Sequence, residues 1–280
     1  MTIVTRFAPS PTGPLHLGHA FSAISSFDFA KNRSGTFLLR MEDIDTQRSK
    51  PEFDTQLQED LRWLGLSWPE PILRQSDRSD IYQNALERLD ALGVTYRCAC
   101  SRGDIRAALS APQEGAQTHG PDGPIYPGTC RHLALSENEG KVTRLNMSLA
   151  AELTGTVGFE ELGHMHAGHH HYTPEQLTTH CGDIVLARAD IGIAYHLAVT
   201  LDDADQHISD IIRGEDLFAA TATHLVLQRI LSLPTPRYHH HRLIRDDTGK
   251  RLAKRDDARA IQTYRAAGAT PADIRRMIGL

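Results

Sequence analysis

The chain has 280 residues, 40% hydrophobic and 23% charged, with four cysteines and a net charge of −5. That length is ample for a buried core in one large or two modest domains, and the mild acidity excludes a global basic field for nucleic acid, so DNA is not an expected partner and any RNA contact must use a local patch. There is no apolar run near the ~18 residues of a membrane span, and Met1–Arg6 lacks the basic and apolar regions of a signal peptide, so a cytoplasmic protein without a membrane partner is expected. In that reducing compartment disulfides are not expected, and metal becomes the competing use for the cysteines.

Ile3–Ala8 is a short apolar run closed by Pro9-Ser10-Pro11-Thr12-Gly13, which predicts a buried strand and a loop. Apolar residues at Leu17, Ala20, Phe21, Ile24 and Phe27 predict a helix from His16 to Lys31, stopped at Gly35. Thr36–Met41 is a second β-rich run, ending in Glu42-Asp43-Ile44-Asp45. Strand, helix and strand in this short span predict a parallel βαβ unit. Glu52–Leu64 and Asp80–Leu92 are amphipathic at helical spacing.

From residue 97 to about 190, Gly, Pro and His accumulate and the periodicity weakens, which predicts an insertion with its own topology. Its His164–His171 cluster is expected to be a solvated loop. The core pattern returns at Ile193–Leu201, a strand or a buried helix start, followed by Ile208–Gly214 and a helix over Ala219–Leu231. Arg259–Leu280 reads as helical, its last helix opening at Thr270-Pro271. The basic runs at Arg242–Arg255 and at Arg265, Arg275 and Arg276 are expected to be solvated surface. The reading is thus an α/β core in two halves, residues 1–96 and 191–242, with an insertion at 97–190 and a loop and helical segment at 243–280.

Two groups of residues carry chemistry. At the strand-to-helix junction Ala8–His19, backbone amides and the positive end of a helix dipole suit a polyphosphate. Gly13 and Gly18 permit a nucleotide to approach the backbone, and His16 and His19, three apart, share a face from which they can donate to phosphate oxygens. The sequence holds neither GxxxxGK[ST] nor a GxGxxG after a strand, which excludes the two commonest nucleotide loops. Separately, Cys98, Cys100 and Cys130 offer three thiolates for a tetrahedral zinc, with His119 or His132 as the default fourth ligand and three free thiols as the alternative. Cys181 reads as a small buried apolar residue.

The string Arg6-Phe-Ala-Pro-Ser-Pro-Thr-Gly-Pro-Leu-His-Leu-Gly-His19 resembles the HIGH signature of class I aminoacyl-tRNA synthetases in its glutamyl form. Arg40–Asp45, Ala194–Val199 with Asp202-Asp203, Ile212–Leu217 and Arg251–Arg255 are similar, in order, to the family's RxEDxD, YxxAxxxDD, VRGxDL and KMSKS segments. The resemblance implies a Rossmann-like class I catalytic core, a parallel sheet with helices on both faces, carrying a zinc-containing insertion and a short helical C-terminal segment. It implies glutamate as substrate, with Arg6 and Arg213 gripping the side-chain carboxylate, Glu42 the ammonium, Tyr195 adding a hydroxyl, and Ala8 and Ser10 completing the pocket. ATP with Mg²⁺ would lie against Pro9, His16, Gly18, His19 and Lys254, of which His16, His19 and Lys254 assist catalysis. Both serines of KMSKS are missing here, replaced by Ala253 and Arg255.

The family's Cys-x-Cys and Tyr-x-Gly-x-Cys pattern implies zinc held by Cys98, Cys100, Tyr126 and Cys130, and His240 is implied near the adenine. Only 25 residues follow Arg255, too few for a helical anticodon-binding region. The shortened branch of the family implies transfer of glutamate to queuosine in the anticodon loop of tRNA(Asp). The alternatives are acceptor-end charging and a non-catalytic RNA- or zinc-binding module.

Overall fold

A computed structural model describes residues 2–109, 118–245 and 259–280; Lys254 and its neighbours lie outside the described residues. Val4–Phe7 (β1) and Leu17–Lys31 (α1) lead to Thr36–Met41 (β2), which pairs in parallel with β1, Val4 opposite Thr36 and Phe7 opposite Leu39. Pro51–Trp63 (α2) opens with proline in its first turn, where no amide donor is needed, and carries Glu52 and Asp54 at its positive end. Leu73–Arg74 (β3) then adds to β2, again in parallel. The βαβ expectation for this half is borne out.

Ser79–Ala91 (α3) carries the chain into the inserted region. There Thr95–Cys98 (β4) is followed by Arg102–Leu109 (α4), the short hairpin His119–Gly120 (β5) and Gly123–Pro124 (β6), then Val142–Leu145 (β7) and Met147–Thr154 (α5). Val157–Glu161 (β8), Gly168–Tyr172 (β9) and Pro174–His180 (α6) come next. Val185–Arg188 (β10) and Gly192–Ile193 (β11) complete an antiparallel sheet of order β11-β10-β7-β4, the insertion's own.

The remaining elements are Tyr195–Asp205 (α7), Asp210–Gly214 (β12), Thr221–Ile230 (α8), Arg237–His241 (β13), Ile261–Ala266 (α9) and Pro271–Ile278 (α10). β12 and β13 are parallel, β13 pairs in parallel with β8, and β9 lies antiparallel on the edge. Residues 157–172, expected within the insertion, therefore extend a core sheet. Of the histidine cluster, His164 and His166 lie in a turn as expected, whereas Gly168–Tyr172 is a strand that pairs residue by residue with Val157–Glu161. The alternating exposure of His169 to Tyr172 fits an edge strand with one face in solvent. Within Ile193–Leu201, Ile193 ends β11 and the helix runs from Tyr195. Every residue from His196 to Asp203 is buried, so the segment lacks the polar stripe that marks an amphipathic helix in sequence.

β1 and β12 lie side by side: the Val4 carbonyl accepts from the Ser209 amide at 3.0 Å, and the Val4 amide donates to Ser209 Oγ at 2.9 Å. The strand order runs outward from β1 to β2 and β3 on one side, and from β12 to β13 on the other. This is a topological switch point, where open α/β sheets place their ligands at the carboxyl ends of the strands. The last two helices secure that end. Ile261, Ile274 and Ile278 are buried in the same cluster as Leu17, Phe21 and Ile24, each worth about 1.5–3 kcal/mol of apolar burial. Arg275, expected as solvated surface, instead pairs with Asp28 through both terminal nitrogens, at 2.6 and 3.0 Å. Among the described residues no helix is long and apolar enough to cross a membrane.

Candidate active site

The start of α1 is built by its two histidines. His16 is the N-cap, and its Nδ1 accepts from the Gly18 amide at 3.1 Å. The His16 amide in turn donates to His19 Nδ1 at 3.2 Å, and the two rings stack with centroids 3.7 Å apart. Because both Nδ1 atoms accept, each neutral ring carries its proton on Nε2. A side chain on Gly18 would meet the His16 ring at 3.0 Å, so glycine is what admits the cap. The loop before α1 is held by the returning C-terminal segment, with the Ile261 amide donating to the Leu15 carbonyl at 2.8 Å and His16 bridging to Ala260.

These histidines line a cleft of about 380 Å³ at the ends of β1 and β12. Arg6, Ala8, Gly18, Glu42, Tyr195 and Arg213 line it too, so eight of the residues singled out from sequence meet in one place. Arg6 engages Asp203 through Nε at 2.9 Å and Nη2 at 3.2 Å. Arg213 donates from Nε to His240 Nε2 at 3.0 Å, from Nη2 to Thr221 Oγ1 at 2.8 Å and the Leu217 carbonyl at 3.2 Å, and from Nη1 to His224 Nδ1 at 3.2 Å. Among the described residues this leaves Nη1 of Arg6 and one hydrogen of Arg213 Nη1 for a ligand, so the pair can hold a carboxylate between them. Burial pushes the Glu42 carboxyl up to about 7, with Arg40 and Arg6 opposing the shift. Burial also raises the Tyr195 hydroxyl to about 12, so it stays protonated and able to donate.

Pro9 contributes through its backbone, its carbonyl accepting from the Glu42 amide at 3.0 Å and tying β1 to the end of β2. Ser10 faces a second cavity of about 460 Å³, reached past Glu42 and Tyr195, which line both. The histidine implied near the adenine is displaced by one residue. His240 is buried behind Arg213 and bonded to Glu161, and its neighbour His241 lines the cleft, its Nε2 at 2.7 Å from Ser22 Oγ. Strand alternation accounts for this, since consecutive residues of β13 point to opposite faces. Arg242, expected as solvated surface, lines the cleft and donates to the Ile278 carbonyl at 2.6 Å. Asp203, Ser22 and Asp216 were not assigned roles from sequence; Asp203 could have been suspected as a carboxylate in an apolar run.

The sulfur atoms of Cys98, Cys100 and Cys130 lie within 4.8 Å of one another. The Tyr126 hydroxyl is 3.4 Å from both Cys98 Sγ and Cys100 Sγ, and the Cys130 amide donates to it at 2.8 Å. Cys100 and Cys130 sulfurs are 3.5 Å apart, near the ~3.8 Å edge of a tetrahedron with ~2.3 Å zinc–sulfur bonds. Arg144 stacks 3.9 Å from the Tyr126 ring in a cation–π contact. Three thiols and a phenol thus converge as zinc would require. Among the described residues no histidine joins the cluster, which favours Tyr126 over His119 or His132.

The sheet order and switch-point cleft define a Rossmann-type α/β core. Residues 2–280 match tRNA synthetases class I (E and Q), catalytic domain, and the chain belongs to that family. It is 58% identical over 285 residues to the Glutamyl-Q tRNA(Asp) synthetase of Rhodobacter capsulatus, covering 99% of this chain and 100% of that one. It is 40% identical to the protein of the same name from Symbiobacterium thermophilum, covering 95% of this chain and 82% of that one. Among solved structures, the glutamate-tRNA synthetase of Elizabethkingia anophelis superposes with a TM-score of 0.72 at 29% identity over 91% of this chain. The chain spans about half of that synthetase, 53% of its length.

Proposed function

We propose that the protein activates glutamate with ATP to glutamyl-adenylate and transfers the glutamate to queuosine in the anticodon loop of tRNA(Asp). The observation that carries this is the single cleft in which Arg6, Arg213, Glu42 and the Nε2-protonated His16 and His19 converge. Nη1 of Arg6 and of Arg213 would hold the side-chain carboxylate of glutamate. Glu42, ionised, would hold the ammonium, with the Tyr195 hydroxyl beside it.

The α-carboxylate then attacks the α-phosphate of ATP in line, forming a C–O–P linkage as the bond to the β-phosphate breaks and pyrophosphate leaves. His16 and His19 would donate from Nε2 to the phosphate oxygens, stabilising charge as it develops, and Mg²⁺ would neutralise the leaving pyrophosphate. Lys254 is assigned to the same pyrophosphate. In the second step a hydroxyl of the queuosine cyclopentenediol attacks the adenylate carbonyl from the second cavity, forming the ester and releasing AMP. Zinc at Cys98, Cys100, Tyr126 and Cys130 would close the insertion structurally, with no part in either step.

The names of the relatives support the acceptor. Glutamate-dependent exchange of labelled pyrophosphate into ATP, without tRNA, tests the first step. Exchange with glutamate and not with other amino acids is expected, and no exchange with any amino acid would overturn the reading.

A further inference from the structure

A line of buried histidines outside the chemistry above runs from Arg213 to the second cavity. His224 on α8 accepts from Arg213 Nη1 at 3.2 Å through Nδ1, since a guanidinium can only donate. Its Nε2 therefore carries the proton and donates to His196 Nδ1 on α7 at 3.0 Å. That leaves the His196 proton on Nε2, which meets both carboxylate oxygens of Asp122, at 2.9 and 2.8 Å. Asp122 sits in the turn between β5 and β6, belongs to the insertion, and lines the second cavity with its side chain half exposed. On the opposite side, His240 accepts from Arg213 Nε and contacts Glu161 through Nδ1 at 2.5 Å. Each tautomer in both lines is fixed by its neighbours, and each line ends on a carboxylate.

Four of the five guanidinium N–H groups of Arg213 are thus engaged by the protein, and the fifth is the second hydrogen of Nη1. The guanidinium is planar, so that hydrogen's direction is set by these four bonds together, and the bond from Nη1 to His224 is the one that shares its nitrogen. We infer that Asp122, His196 and His224 are positioning residues that aim Arg213 at the amino-acid carboxylate from the wall of the second cavity, so that the insertion's hairpin and the glutamate site are held in one register. This rests on Arg213 being a carboxylate cation, as proposed above. The relay needs neutral imidazoles, and burial together with the charge of Arg213 holds His224 well below the usual histidine range.

The test is pyrophosphate exchange by the full chain, with glutamate and ATP varied separately. Losing one hydrogen bond to a buried charged group predicts that His224→Leu raises the KM for glutamate about tenfold or more, with the KM for ATP and kcat within about twofold. Asp122→Ala, at a half-exposed site that tolerates truncation, is expected to raise the same KM by about fivefold. His224→Gln should return it to within about twofold of the parent, because its amide can accept from Arg213 and donate to His196. An unchanged glutamate KM in His224→Leu and Asp122→Ala would overturn the relay, as would an equal rise in the ATP KM or a His224→Gln no better than His224→Leu. Arg213→Lys separates the two claims. If it leaves the glutamate KM unchanged, the carboxylate role of Arg213 fails; if it raises that KM while the relay variants are silent, only the relay fails.

Discussion

Arg6 and Asp203 face each other as a two-pronged buried pair, Nε to Oδ1 at 2.9 Å and Nη2 to Oδ2 at 3.2 Å, and the same Oδ1 takes Arg40 Nη1 at 2.8 Å. One carboxylate therefore orients a cleft arginine and neutralises a second, fully buried one. Asp203→Ala leaves both guanidiniums without it and should cost about 3–5 kcal/mol in urea denaturation. Burial alone would raise the Asp203 carboxyl; Arg6 and Arg40 outweigh it and hold it below the usual range. Its stabilisation is accordingly present at neutral pH and lost only as pH falls through that lowered value. A variant as stable as the parent at neutral pH would show that the pair contributes little.

Glu42 behaves in the opposite sense. Its carboxyl is raised to about 7, so ammonium binding should weaken as pH falls through that value. The KM for glutamate is expected to drop between about pH 6 and pH 8, while Glu42→Gln binds weakly throughout. The stability sign is the reverse of Asp203. A folded value above the unfolded 4.5 means that ionising Glu42 costs stability as pH rises, on the order of 3 kcal/mol when the shift is complete. Glu42→Gln should therefore melt higher than the parent at about pH 8 and at the same temperature below about pH 4. A parent-like melting curve at both would remove the buried-charge account.

His16 serves two ends of its ring. His16→Asn keeps an acceptor for the Gly18 amide, so folding stability should stay within about 0.5 kcal/mol. It removes the Nε2 donor, so kcat for exchange should fall by about 10²-fold or more with little change in the KM for glutamate. Equal losses of stability and turnover would mean that the ring is only a cap.

Zinc is expected at about one ion per chain in the purified protein, and Cys98→Ala or Cys130→Ala should abolish it. Tyr126→Phe retains the three thiolates and should hold zinc about 10–100-fold more weakly. Because the cluster closes the inserted region, hydrogen exchange should rise around Cys98–Val142 and not in the β1–α1–β2 unit. Full zinc retention in Tyr126→Phe would assign the fourth ligand elsewhere.

Much of this was legible in sequence where local pattern and tertiary role agree. The strand, capped helix and strand from Ile3 to Met41 announced themselves through periodicity, and the meeting of Arg6, His16, Glu42, Tyr195 and Arg213 followed from ordered motifs. The misses have physical causes. His196–Asp203 is buried all round and so shows no stripe. His169–His171 look like loop until a partner strand is supplied by Val157–Glu161. His196, His224 and Asp122 meet only because α7, α8 and the β5–β6 hairpin converge, and nothing local in any of the three segments signals it.

The most direct test of the central claim is transfer of labelled glutamate to tRNA(Asp), with and without queuosine, followed by nuclease digestion to locate the label. Label confined to the anticodon nucleoside, and only in tRNA carrying queuosine, is the predicted result. Label on the terminal adenosine, or incorporation independent of queuosine, would contradict it.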